Sequence, residues 1–174
     1  MDEKRIKEAQ NNFTNYLKDG MIKKVKFDKI VYTTYLRNAR ESLVVAKQLN
    51  ESKMSFLWVV VTSYYSMFYM ACAYLYKLGY KAENKIVHQV INESLIVQGR
   101  NKISNYLIDG YSEEKEKALV IVDSHLENYE RERAKRSSFQ YETTEEIKEA
   151  KAKTSLDRAK EFITLMEEIL TKDM

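Results

Sequence analysis

Proline is absent from the 174 residues, and glycine occurs only four times. Both residues interrupt helices, so their scarcity favours long helices joined by short turns. The same scarcity leaves no glycine-rich loop that could cradle a phosphate. A single cysteine, Cys72, excludes an intramolecular disulfide and a paired-Cys zinc site. Cys72 lies inside an apolar run and reads as a small buried hydrophobe rather than a nucleophile, in keeping with a reducing compartment. Only two histidines are present, His88 and His125, too few for a multi-His metal site within one chain. Carboxylates abound, yet none forms an inward Glu-x-x-His pair. No metal and no other cofactor is expected. The formal net charge of +3 is too small to announce a nucleic-acid partner, so any basic site must be local. The segment MDEKRIKEAQ is charged and lacks the apolar core of a signal peptide, which sets the expected location as the cytoplasm.

What the chain does have is an apolar run. Phe56 to Tyr76 reads FLWVVVTSYYSMFYMACAYLY, twenty-one residues without a charge, a glycine or a proline. As a helix it would span roughly 30 Å, long enough to cross a bilayer. Such a helix also suits the centre of a bundle, apolar on all sides because neighbours cover every side. Eight of its residues end in a hydroxyl: Thr62, Ser63, Tyr64, Tyr65, Ser66, Tyr69, Tyr74 and Tyr76. A protein interior can place partners for these groups, whereas a bilayer centre cannot. The strongly amphipathic segments elsewhere need an apolar body to pack on. The expectation is therefore a bundle core and no membrane, with a membrane-anchored helical subunit as an alternative.

The fold class that follows is all-α, an up-and-down bundle of about five to six helices in a single domain, residues 1–174. A first helix over Asp2–Lys18 places Ile6, Ala9, Phe13, Tyr16 and Leu17 on one face, and Gly20 ends it. A basic connection carries Lys23, Lys24, Lys26 and Lys29. Asp28 caps a second helix running to about Asn50, with the stripe Val31, Tyr35, Ala39, Leu43, Ala46 and Leu49. A short turn leads into the central helix, which stops at Gly79. Tyr80–Asn84 reads as a connection, and a fourth helix follows to about Val97. Gly99–Gly110 looks irregular. A fifth helix is expected from Ser112, with Glu113 and Glu114 at its positive end. Its stripe runs Leu119, Val122, Leu126, Tyr129, Arg133 and Arg136, a spacing of threes and fours. Thr143 with Glu146 forms a capping box for a last helix reaching about Leu170.

The unusual constellation is YERERAKRSSFQY, where the fifth helix closes. Arg131, Arg133, Lys135 and Arg136 crowd together, flanked by Tyr129 and Tyr141. Cations are favoured at the negative end of a helix. Arg133 and Arg136, however, continue the apolar stripe instead of opposing it. An arginine on such a seam must meet a carboxylate or serve an anion such as phosphate.

On two segments the chain resembles the HEPN superfamily of small prokaryotic helical proteins. SYYSMFYMACAYLYKLGYKAENKIVHQVI, Ser63 to Ile91, is similar to the family's helix with a Tyr-Tyr-x-Met-Phe core, a glycine turn and a following His. Tyr64, Tyr65, Phe68 and His88 are the structural residues of that motif. RERAKRSSFQYETTEEI, Arg131 to Ile147, resembles the family's arginine-containing turn ahead of an acidic last helix. The resemblance covers about Tyr32 to Leu170, leaving residues 1–27 as an additional N-terminal helix and basic connection. It implies a bundle that dimerises around a cleft lined by the turn. It also implies metal-independent ribonuclease chemistry, toxin–antitoxin or defence roles, and a minimal nucleotidyltransferase as partner.

The family motif is an Arg, usually a polar neighbour, then a His after four to six intervening residues. Here Arg136-Ser137-Ser138-Phe139-Gln140-Tyr141 has that form with Tyr in the His place. A phenol with a pKa of about 10 is a poor general base at neutral pH, whereas imidazole titrates near about 6.5. The sequence therefore predicts a cytoplasmic homodimeric binding module whose Arg131, Arg133, Lys135 and Arg136 contact RNA or a partner protein. The alternative is an active ribonuclease in which Arg136 stabilises the scissile phosphate and Tyr141 serves the leaving oxygen.

Overall fold

The structure, a computed structural model, describes residues 2–83, 86–131 and 145–172, with residues 124–131 described by their backbone alone. Within these lie six helices and a short ribbon: α1 (Glu3–Lys18), β1 (Ile22–Lys24), α2 (Lys29–Glu51), α3 (Phe56–Lys77), β2 (Tyr80–Ala82), α4 (Val87–Gly99), α5 (Asn105–Arg131) and α6 (Glu145–Lys172). The all-α class holds.

Local chemistry starts each of the first three helices. The Asp2 carboxylate accepts from the Arg5 amide at 2.8 Å, and Asp28 accepts from the Ile30 amide at 2.7 Å. Ser55 opens α3 by accepting from the Trp58 amide at 3.5 Å. These side chains satisfy amide donors that the first turn of a helix leaves without a partner.

α3 is the central element. Fifteen of its twenty-two residues are buried, including Tyr64, Met67, Met70, Ala71, Tyr74 and Leu75. α2, α4, α5 and α6 all pack on it, and the pair α2–α3 is the most extensive. By length and composition α3 could cross a membrane, but 67% of its most apolar window is already buried inside the fold. Four of its hydroxyls find protein partners, Tyr64 among them, whereas the buried Ser63 and Ser66 hydroxyls have none. Tyr74 donates to the Gln98 carbonyl at 3.0 Å, Tyr76 to the Lys26 carbonyl at 3.4 Å, and Thr62 to the Trp58 carbonyl at 2.6 Å. Cys72 is buried and unpaired, and burial pushes its thiol pKa up, so it is not a ready nucleophile.

The bridging segments differ from the sequence expectation. Residues read as simple connections pair as an antiparallel ribbon, with Ile22 opposite Ala82 and Lys24 opposite Tyr80. Gly20 and Gly79, at φ of 67° and 85°, turn the chain out of α1 and α3 into these strands. Ile22 is fully buried among Phe13, Tyr16 and Val90, and the Phe13 and Tyr80 rings meet edge to face at 5.4 Å. Three-residue strands are too short for an alternating pattern to be visible in sequence.

α5 also begins earlier than expected, at Asn105 rather than Ser112, so Gly110 lies inside the helix. Ser104 supports its start by accepting from the Leu107 amide at 3.4 Å. Ser112 is therefore no cap. Its Oγ lies 2.8 Å from Asn92 Oδ1 and accepts from Arg5 at 2.6 Å, and Arg5 also pairs with Asp109 at 2.5 Å. This cluster ties α1 and α4 to α5. The expected Thr143 cap lies outside the described residues.

Phe68 is buried against α4, its ring centroid 4.5 Å from that of His88. Phe68→Ala should lower unfolding free energy by about 3–5 kcal/mol, the range for a buried aromatic cut back to a cavity. Urea unfolding followed by circular dichroism measures this, and a loss below about 1 kcal/mol would contradict the packing described.

Candidate functional site

The basic segment follows α5 in the chain. Arg131 is the last described residue of that helix, by its backbone alone. Arg133, Lys135, Arg136 and Tyr141 lie outside the described residues, as do the side chains of His125 and Tyr129. α5 and α6 place the two ends of the turn. They run antiparallel: Arg158 of α6 meets Glu113 and Glu114 of α5, and Leu156 and Ala152 pack with Ile121.

The seam along α5 is not the one the apolar pattern suggests. Its buried line is Tyr111, Glu114, Ala118 and Ile121. Leu119 and Val122, which open the expected stripe, lie one residue round the helix and are only partly buried. The true seam was hidden because a carboxylate occupies it. Glu114 is fully buried. Its Oε2 accepts from Ser155 Oγ at 2.5 Å, and its Oε1 faces Lys117 Nζ at 2.7 Å and Arg158 Nη1 at 2.8 Å. A buried carboxylate is tolerable only with such partners. Glu113 and Glu114 thus serve a helix–helix contact rather than a helix N-terminus. Nothing in the spacing of Glu114 or Ser155 marks them; only a helix drawn back to Asn105 would have put Glu114 on the line of Tyr111.

The second candidate constellation, Tyr64, Tyr65, Phe68 and His88, does come together. His88 is the second residue of α4, and Ile86 at the helix start makes no side-chain cap. His88 Nδ1 lies 2.8 Å from the Tyr64 hydroxyl. Its ring packs on Phe68 at 4.5 Å and meets Tyr65 edge-on at 5.7 Å. Tyr64 in turn contacts Tyr111 of α5 at 5.9 Å between ring centroids. Burial pushes the phenol pKa values of Tyr64 and Tyr111 up. Tyr64 therefore stays protonated, and its hydroxyl shares a hydrogen bond with Nδ1 whose direction follows the imidazole tautomer. Burial first, then the nearby Lys115 charge, holds the His88 pKa below the usual imidazole range.

This geometry separates His88 from the last described residue of α5, Arg131. His88 sits at the level of Tyr111 and Lys115. The helix from there to Arg131 rises by roughly 25–30 Å at about 1.5 Å per residue. Among the described residues no group of three or more His, Cys, Asp or Glu side chains could hold a metal ion.

The depressed His88 pKa has a definite sign for stability. The unfolded chain binds the proton more readily, so folding stability falls as pH drops through the unfolded value near about 6.5. The parent protein should lose melting temperature between pH 7.5 and pH 5.5, and His88→Phe should show a shallower loss. Parallel slopes for the two proteins in thermal scans would contradict this assignment.

A model of the HEPN domain matches residues 32–169. No curated protein and no solved structure matches this chain. The matched span takes in nearly all of α2 and every later helix, including the Tyr64–His88 contact and both ends of the basic turn. This chain belongs to the HEPN domain family.

Proposed function

We propose that the protein is a HEPN-type binding module that contacts RNA through the basic turn, acts as a homodimer, and cleaves RNA inefficiently or not at all. One observation carries this reading: within a HEPN domain, the arginine-bearing turn holds Arg136-Ser137 followed by Tyr141 where the family motif has His. Arg131, Arg133, Lys135 and Arg136 supply positive charge for a phosphate backbone, and Tyr129 and Tyr141 supply rings on which bases can stack. A raised general-base requirement argues against catalysis, because a phenol is almost fully protonated at neutral pH. The commitment of His88 on α4 to Tyr64 and Phe68 supports the same reading. A minimal nucleotidyltransferase, in a toxin–antitoxin or defence setting, is the partner class in keeping with the family. A cytoplasmic location is in keeping with the burial that α3 already has without a bilayer.

Dimerisation has support in the exposed Val44 and Val45 of α2. Sedimentation velocity at micromolar concentration should give a two-chain particle, consistent with an interface above about 1,000 Å² in total. A monomer alone would contradict it.

The RNA reading is tested with a short single-stranded RNA by fluorescence anisotropy across a salt series. Arg133→Ala combined with Arg136→Ala should weaken binding by at least about tenfold. It should also flatten the salt slope by about one unit per lost phosphate contact. Tyr141→Phe should leave affinity near the parent value. Parent-like binding by the double arginine variant at every salt concentration would remove the turn as the site. Cleavage of RNA by the parent, abolished in Tyr141→Phe at unchanged affinity, would replace the binding module with a ribonuclease.

A further inference from the structure

A cavity of about 370 Å³ opens between the first turns of α3, the middle of α5 and the first turns of α6. Its walls are Phe56, Leu57, Val60, Val120 and Ile121. Val60 and Ile121 are buried, Phe56 and Leu57 half-buried, and Val120 exposed, so the space runs from the core to the surface. Four charged side chains complete the lining: Lys117, Lys148, Lys151 and Glu116. Three lysines less one glutamate leave a net +2 around an apolar floor.

The charges divide into those already answered and one that is not. The Glu116 carboxylate lies 2.8 Å from Lys115 Nζ, and Lys117 is taken by buried Glu114 at 2.7 Å. Lys148 pairs with Glu145 at 3.0 Å, a carboxylate that is 75% exposed and so weakly held. Among the described residues no carboxylate pairs with Lys151. Lys148 and Lys151 are three residues apart on α6 and share one face. The size falls within the ordinary range of small-ligand pockets, with apolar walls and few polar groups. A nucleobase would leave its hydrogen-bonding edge against hydrocarbon walls, a costly loss. An alkyl chain has no such edge.

We propose that this cavity binds an amphipathic anion: a medium-length acyl chain lying on Phe56, Leu57, Val60 and Val120, with its carboxylate held between Lys148 and Lys151. The site is separate from the basic turn, and RNA binding can fail or succeed independently of it.

Isothermal titration of the full chain with decanoate, below its micelle threshold and at low salt, should show saturable binding of one molecule per chain. Decanol and decyltrimethylammonium, with the same chain and a neutral or positive head, should bind at least about tenfold more weakly. Lys148→Glu with Lys151→Glu should lose about tenfold toward decanoate and little toward decanol. Leu57→Trp, which fills the floor, should abolish both, provided its helical spectrum matches the parent. If that variant does not fold, the charge-reversed pair decides alone. Decanol binding as tightly as decanoate would mean an apolar surface only, such as a contact between two copies, and would overturn the proposal. So would parent-like decanoate binding by the charge-reversed pair, or the absence of saturable heat.

Discussion

A twenty-two-residue helix with apolar side chains around its whole circumference has to be enclosed, and the rest of this protein is arranged to do that. α2 turns back onto α3 through Ser52–Ser55, and α4, α5 and α6 close the remaining sides. The driving term is the removal of α3 side chains from water, roughly 1.5–3 kcal/mol for each large apolar group fully buried. The same enclosure imposes a polar obligation. A buried tyrosine hydroxyl is costly without a partner, and on α3 Tyr74 reaches a carbonyl of α4, Tyr76 one before α2, and Tyr64 the imidazole of His88.

Those polar obligations connect the core to the sites. His88 is held by Tyr64 and packed by Phe68 and Tyr65, so an imidazole that looks chemically available in the sequence is committed to joining α4 to α3. Glu114 plays a comparable part between α5 and α6, with Arg158, Lys117 and Ser155 answering a carboxylate in a fully buried position. Neither group is spare. Lys148 and Lys151, on the first turns of α6, instead line an open cavity.

The N-terminal helix lies outside the span that matches the HEPN domain, yet its attachment is built into the fold. Ile22 is fully buried, the ribbon joins the segments after α1 and α3, and Arg5 reaches Asp109 and Ser112. Breaking this attachment would expose Val90 of α4 and leave the Asn92–Ser112 contact open at the surface.

The helices themselves were legible in the residues. Asp28 before its helix, Gly20 and Gly79 after theirs, and an uncharged run between Lys53 and Lys77 state the elements and their ends, because capping and periodicity act over a few neighbouring residues. The resemblance over Ser63–Ile91 also pointed to the family. Three matters were decided only in three dimensions. The ribbon depends on two segments some sixty residues apart, each too short to show a pattern. The start of α5 was concealed by Gly110, a poor helix former that packing nonetheless accommodates. Its true seam passes through Glu114, whose burial depends on Arg158 forty-four residues away. A charge reads as solvated in sequence, and only the partner brought to it by folding can reverse that reading.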